Sequence, residues 1–260
     1  VSETVPVPES HLFEGRGVIV VIPTYNEVGN VIDVVQKVLR ELPESKVVVV
    51  DDSSPDGTAR AVEDFSRSDA EGGRVRVLHR ERKEGLGAAY RAGFADAMGH
   101  GAAICVQMDA DLSHDPTYLR EIVAAVALGA DVSIGSRYIP GGSIENWPPV
   151  RRFLSRWGNR FAAGMLGLAV NDATSGYRAY SRSILDRMNF SAVVAEGYGF
   201  QVEMTHRAVR VGARIVEIPI RFTDRIRGES KLTHHIIGEA FGLVIGLWYR
   251  ERLLKRGYRR

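Results

Sequence analysis

Along the first half of the chain, short apolar runs alternate with stretches of helical periodicity. Gly17 to Ile22, Lys46 to Val50, Val75 to Leu78, Ala102 to Met108 and Asp131 to Ser136 are short, mostly apolar and bounded by polar or glycine-containing turns, so each reads as a buried strand. Between them Val28 to Glu41 sets Val31, Val34, Val35, Val38 and Leu39 on one helical face, and Thr58 to Ser68, Gly85 to Met98 and Pro116 to Leu128 also read as helices. This alternation predicts an α/β fold, a mostly parallel sheet with right-handed crossovers and flanking helices. Its strands then end on one edge, where open α/β sheets bind ligands.

The strand ends carry the chemistry. Pro23-Thr24-Tyr25-Asn26-Glu27, Asp51-Asp52, His79-Arg80, Asp109-Ala110-Asp111 and Arg137 each follow a predicted strand and converge on one crevice. Asp109 and Asp111 leave the sheet together, and two like charges at a cleft edge are relieved by a divalent cation. A solvated loop or a helix cap would also accommodate an Asp-x-Asp triplet.

The second half differs. Gly141-Gly142-Ser143 and Trp147-Pro148-Pro149 form a connector, and Val150 to Leu168 then sets Leu154, Trp157, Phe161, Met165 and Leu168 at 3, 4, 4 and 3 spacing, with Arg152, Arg156 and Arg160 on another face. A basic amphipathic helix of this kind fits a membrane interface, and equally a helix that packs on the sheet with solvated arginines. Asn171 to Tyr180 is polar and glycine-containing, with Asp172, Ser175 and Arg178; Gly197 to Val211 reads as a helix carrying Gln201, Glu203 and His206, and Ile215 to Phe222, alternating and containing Pro219, as one edge strand. Asp224 to Leu232 gathers Arg225, Arg227 and Lys231 around Gly228, which suits phosphate or a solvated charge run. Thr233 to Leu254 reads as an apolar helix with a basic end, suited to shallow insertion or to a partner helix.

Composition narrows the classes. The 260 residues hold 34 Lys and Arg against 32 Asp and Glu, a net charge of +2, so no global field argues for nucleic acid. The single cysteine, Cys105, lies within a predicted strand, which excludes an intramolecular disulfide or a thiolate metal cluster and fits a reducing compartment. No basic-then-apolar leader opens the chain, and its first residue, Val1, accords with a fragment or a processed chain. The longest apolar stretch, Ile236 to Tyr249, is interrupted by Glu239 and falls short of the ~20 residues that span a bilayer.

Four segments in order, Pro23-Thr24-Tyr25-Asn26-Glu27, Asp51-Asp52-Ser53-Ser54-Pro55-Asp56-Gly57-Thr58, Asp109-Ala110-Asp111-Leu112-Ser113-His114 and Gly228-Glu229-Ser230-Lys231-Leu232, resemble the polyprenol (dolichol) phosphate mannosyltransferases, inverting family-2 glycosyltransferases of the GT-A fold. The resemblance implies transfer of mannose from GDP-mannose to a polyprenyl phosphate lipid, with Mg²⁺ or Mn²⁺. It implies that Pro23, Tyr25, Glu27, Val50 and Asp52, with Asp52 or Asp51 at the base edge, hold the guanosine, and that Asp109, Ala110 and Asp111 form the metal and diphosphate site. Arg137, Arg225 and Lys231 would hold the donor and acceptor phosphates, and Asp109, Asp111 and Arg137 would be the catalytic set. Some relatives carry Gln where this chain has Ser113, so ligation there is not expected.

The expected organisation is a flexible arm over 1–16, a catalytic domain over 17–232 with a nucleotide half (17–137) and an acceptor half (138–232), and an amphipathic helix with a basic tail over 233–260. The expected location is peripheral, on the cytoplasmic face of a membrane. Anchorage would come from the interfacial helices, an anchoring protein or a fused domain. Transfer of glucose or N-acetylglucosamine to the same kind of lipid is the rival activity. A dinucleotide oxidoreductase is rejected, because Gly85-Leu86-Gly87 lacks the third glycine and follows the third strand.

Overall fold

The computed structural model describes residues 14–68, 73–223, 241–250 and 252. In chain order the elements are β1 (Val18–Thr24), α1 (Val31–Glu41), β2 (Lys46–Asp51), α2 (Thr58–Ser68), β3 (Val75–His79), α3 (Leu86–Gly99), β4 (Ile104–Gln107), α4 (Leu119–Ala127), β5 (Val132–Ser136), β6 (Ser143–Glu145), α5 (Pro149–Leu166), β7 (Arg178–Ser181), α6 (Arg182–Arg187), α7 (Gly197–Arg210), β8 (Ile215–Pro219) and β9 (Arg221–Thr223). Residues 241–250 are helical.

Seven strands form one sheet in the order β3-β2-β1-β4-β7-β5-β8, and β6 pairs with β9 in a separate parallel ribbon. Alternation along the strands builds a core on each face. Val18, Val20 and Ile22 of β1 point into one, with α1, Val62 of α2 and α4; Ile19 and Val21 point into the other, with α3, α6, α7 and Ala162 and Leu166 of α5. Cys105 is fully buried in the second core, and burial pushes its thiol up to about 12.

The structure adds a strand that the sequence pattern does not signal: within the polar stretch Asn171 to Tyr180, Arg178 opens β7, which runs antiparallel between β4 and β5 and so interleaves the chain's second half with its first. The remaining strands of the sheet point the same way, so the convergence of their carboxyl ends holds. Ile215 to Phe222 is two strands, because Pro219 has no N–H with which to extend the ladder and Ile220 turns the chain from the sheet edge to the ribbon. Of the arm, residues 14–16 form a turn held by Arg16 Nε to Glu44 Oε2 at 2.8 Å.

Candidate active site

Three loops leave the strand ends in strained backbone. Asn26 after β1, Ser53 after β2 and Leu112 after β4 have φ of 62°, 55° and 61°, a left-handed region costly for side chains other than glycine. Neighbouring hydrogen bonds hold the strain in place. The Asn26 N–H donates to Ser54 Oγ at 3.0 Å, the Glu27 N–H to Thr58 Oγ1 at 3.0 Å and the Val28 N–H to Asp56 Oδ2 at 3.1 Å. The Ser-Pro-Asp-Gly-Thr run is therefore a cradle for the first loop.

The loops wall a cleft of about 320 Å³, lined on the β1 and β2 side by Pro23, Thr24, Tyr25, Glu27 and Asp52. The two neighbouring aspartates divide their work. Asp51 faces inward and accepts from Thr24 Oγ1 at 2.9 Å, Ser54 N–H at 2.9 Å and Ser54 Oγ at 2.6 Å, so it braces the loops and is not among the cleft-lining residues. Asp52 lines the cleft, paired to Arg80 Nη1 at 2.7 Å; burial raises its carboxyl above the ordinary range despite that cation. Val50, expected at the nucleoside, is fully buried in the core under α3 and is not among the cleft-lining residues.

Asp109, Ala110 and Asp111 form the floor. Tyr90, buried between Phe94 and Phe200, donates its hydroxyl to Asp109 Oδ1 at 2.8 Å; burial and then the Asp109 charge push its pKa well above the usual tyrosine value, so it stays a donor. The Asp109 N–H donates to His114 Nδ1 at 3.1 Å, and the imidazole stacks on Tyr177 with centroids 5.0 Å apart. Asp111 Oδ1 accepts from both the Ser113 N–H, at 3.0 Å, and Ser113 Oγ, at 2.6 Å. Ser113 thus serves the aspartate. Gly176 lies close by: a Cβ there would sit 3.3 Å from His114 Cε1 and 3.6 Å from Asp109 Oδ2.

Lys83 and Gly85 from the loop before α3, Leu86 and Ala89 from its first turn, Gly197, Tyr198 and Gln201 from the start of α7, and Arg151, Thr174 and Gly176 complete the cleft. Sequence reading missed these as site residues. Gly85-Leu86-Gly87 was a visible signal, yet its glycines serve a different purpose: at φ 101° Gly85 leaves room for the Glu196 carboxylate, which accepts the Gly87 N–H at 2.7 Å. Lys83 Nζ sits 3.9 Å above the Tyr25 ring, and Arg151 stacks 4.0 Å over Trp147.

Arg137 is where the structure departs most from expectation. Its guanidinium is buried behind the cleft wall, with Nε and Nη2 each donating to Asp172 at 2.7 Å and Nη2 also reaching Thr174 Oγ1 at 2.9 Å. Burial works against the Asp172 carboxylate, but the Arg137 charge and hydrogen bonds outweigh it and hold the pKa below the usual value. Arg137 thus positions Thr174, and it is not among the cleft-lining residues. Arg225 and Lys231, with the rest of the 224–240 segment, lie outside the described residues.

A family model, glycosyl transferase family 2, matches residues 19–188. The polyprenol monophosphomannose synthase of Mycolicibacterium smegmatis is 45% identical over 235 residues, covering 90% of this chain and 88% of that protein. The undecaprenyl-phosphate mannosyltransferase of Micrococcus luteus is 46% identical, covering 86% and 90%. Among solved structures, glucosyl-3-phosphoglycerate synthase from Mycobacterium tuberculosis, in complex with Mn²⁺, UDP-glucose and phosphoglyceric acid, superposes with a TM-score of 0.67 at 19% identity, over 91% of this chain and 81% of that one. At that identity the likeness is one of fold.

Proposed function

The chain belongs to glycosyl transferase family 2, and on that premise we propose that it transfers mannose from GDP-mannose to a polyprenyl phosphate, inverting the anomeric centre and releasing GDP. The observation that carries the reading is the cleft, where the loop wall of Pro23, Thr24, Tyr25, Glu27 and Asp52 shares one lining with two carboxylates at the end of β4. Relatives named for mannosyl transfer to such lipids support the choice of sugar and acceptor.

Pro23, Tyr25, Glu27 and Asp52 would hold the guanosine, with Lys83 closing over Tyr25. Asp109 and Asp111 fit a hard divalent cation: both donate oxygen, and among the described residues no third His, Cys, Asp or Glu completes a cage, so remaining positions fall to diphosphate and water. Mg²⁺ or Mn²⁺ bound there would neutralise the charge that builds on the departing diphosphate. Tyr90 and Ser113 orient the two carboxylates for that task. The acceptor phosphate is already an anion, so the cleft needs no strong general base. It needs cations that hold the acceptor in line with C1: Arg151 lines the cleft, and Arg225 and Lys231, outside the described residues, are assigned to the same task from the sequence.

The acceptor is a lipid, and the proposal includes peripheral attachment at the cytoplasmic face of a membrane. Val150 and Phe153 of α5 are each 69% exposed, and Arg152, Arg156 and Arg160 lie exposed on the same helix. Among the described residues no helix is long and apolar enough to cross a membrane. An anchoring protein or a fused domain would add to this attachment.

Incubation with labelled GDP-mannose, UDP-glucose or UDP-N-acetylglucosamine, a short polyprenyl phosphate and Mg²⁺ or Mn²⁺, followed by organic extraction, tests the reading. Label should enter the lipid phase from GDP-mannose; preferential entry from a UDP-sugar would replace mannose with the rival sugar. Asp111→Asn should lower transfer by at least about 100-fold while the unfolding midpoint stays near that of the parent. Unimpaired transfer in that variant would remove Asp111 from the mechanism.

A further inference from the structure

Gln201 is 2% exposed and lines the cleft, yet its side-chain oxygen Oε1 finds no hydrogen-bond partner among the described residues. A buried amide oxygen without a donor is destabilising, and such an atom in a binding cleft implies that a ligand supplies the donor.

The side chain is not there by slack packing. Arg178, fully buried, donates from Nη1 to the Gln201 carbonyl at 3.3 Å and to Thr205 Oγ1 at 2.7 Å, and Thr205 Oγ1 donates to the same carbonyl at 2.8 Å. From its other nitrogens Arg178 holds the Ser175 and Ala173 carbonyls, each at 2.7 Å. One guanidinium thus fixes Gln201 relative to Thr174 and Gly176, which share the cleft wall. The preceding residue, Phe200, stacks on Tyr90, whose hydroxyl holds Asp109. Gly176, held next to Gln201 in this way, lies beside Asp109, so Gln201 belongs to the acidic end of the cleft.

The chemistry of that end selects the donor. A diphosphate carries no hydrogen to give at neutral pH, and the cation offers none of its own. A sugar hydroxyl donates one hydrogen bond and accepts another, and so satisfies a carboxamide whichever way its amide is turned. We propose that Gln201 is a specificity-determining residue that reads one ring hydroxyl of the donor's hexose. This rests on the proposed glycosyl transfer and adds to it the residue that recognises the sugar.

The test is a cycle between protein and donor. Gln201→Met keeps length and loses the hydrogen bond, and should lower kcat/KM for GDP-mannose roughly tenfold while GDP alone binds with affinity within about twofold of the parent. Among the monodeoxy GDP-mannoses, one that the parent uses roughly tenfold less well should be used equally by the parent and the variant. An equal loss in GDP affinity, or the same loss for every deoxy donor in both proteins, overturns the proposal; the second result would assign the hydrogen bond to a water on the cation. Should Gln201→Met fail to fold, Gln201→Asn, one methylene too short, carries the same cycle. Should the parent refuse GDP-mannose, the mannose reading fails on its own, and the cycle runs on whichever sugar nucleotide the parent accepts.

Discussion

Helices α1 and α5 look alike in sequence and behave oppositely. Each shows an apolar stripe at helical spacing, yet on α1 Val31, Val34, Val35 and Val38 are fully buried and Leu39 nearly so, whereas on α5 Leu154 and Trp157 are close to half exposed. The face that α5 buries is Asn159, Ala162 and Leu166, part of it polar. Tyr138 donates to Ser155 Oγ at 2.7 Å, and Asn159 exchanges hydrogen bonds with Thr174, Nδ2 to Oγ1 at 2.9 Å and Thr174 N–H to Oδ1 at 3.1 Å. Trp157 and Phe161 lie against Phe241, with centroids 5.4 and 4.7 Å away. Periodicity identifies a face that gains by leaving water, but says nothing of what covers it. The sheet covers the stripe of α1; on α5 Phe161 and Met165 pack against the core while Leu154 and Trp157, nearer its start, stay close to half exposed.

The sharpest way to break this contrast is a charge on each stripe. Val35→Asp buries a carboxylate with no partner and should cost at least about 4 kcal/mol, enough to abolish folding in a marginal domain. Phe153→Asp should change stability by no more than about 0.5 kcal/mol. Urea unfolding of both variants checks it, and a large loss for Phe153→Asp would mean that α5 is a core helix after all.

The same contrast explains what the sequence made legible. The parallel strands and α1 to α4 are local patterns: α2 spans Thr58 to Ser68 as read, and the five residues expected on the face of α1 are the buried ones. What escaped depends on partners distant in the chain. β7 is four residues, Arg-Ala-Tyr-Ser, opened by a buried arginine whose acceptors come from 173, 175, 201 and 205. Arg137 ends a strand, and the resemblance implies a phosphate ligand there, but Asp172, 35 residues on, takes its guanidinium. Asp51 and Asp52 cannot be told apart by type, and the hydrogen bonds from Thr24 and Ser54 decide which one turns inward.

A smaller effect separates structure from site on α5. Asn159→Leu keeps the volume but strips the Thr174 N–H of its acceptor, and should cost about 1–3 kcal/mol. Thr174 lines the cleft and is also held by Arg137, so transfer should fall by more than the modest stability loss accounts for at temperatures well below unfolding. Asn159→Asp keeps the acceptor for the Thr174 N–H and should recover part of the activity. Full activity in the leucine variant would show that α5 is attached to the cleft wall without governing it.

The smallest effect on stability should come from the outermost residues, and it discriminates best. Phe153 and Trp157 have much of their surface in water already, so replacing both with Ser removes little burial and should shift stability by less than about 1 kcal/mol. If the stripe meets lipid, the same double variant should lose flotation with anionic liposomes, because aromatic side chains at an interface supply apolar area that the neighbouring arginines cannot replace. Raising salt should weaken binding by the parent as well, since Arg152, Arg156 and Arg160 act through charge. Transfer to a detergent-dispersed short polyprenyl phosphate should persist in the variant, while transfer to the same lipid in vesicles should fall. Undiminished flotation would place the membrane contact elsewhere on the molecule and leave the exposed face of α5 to a protein partner.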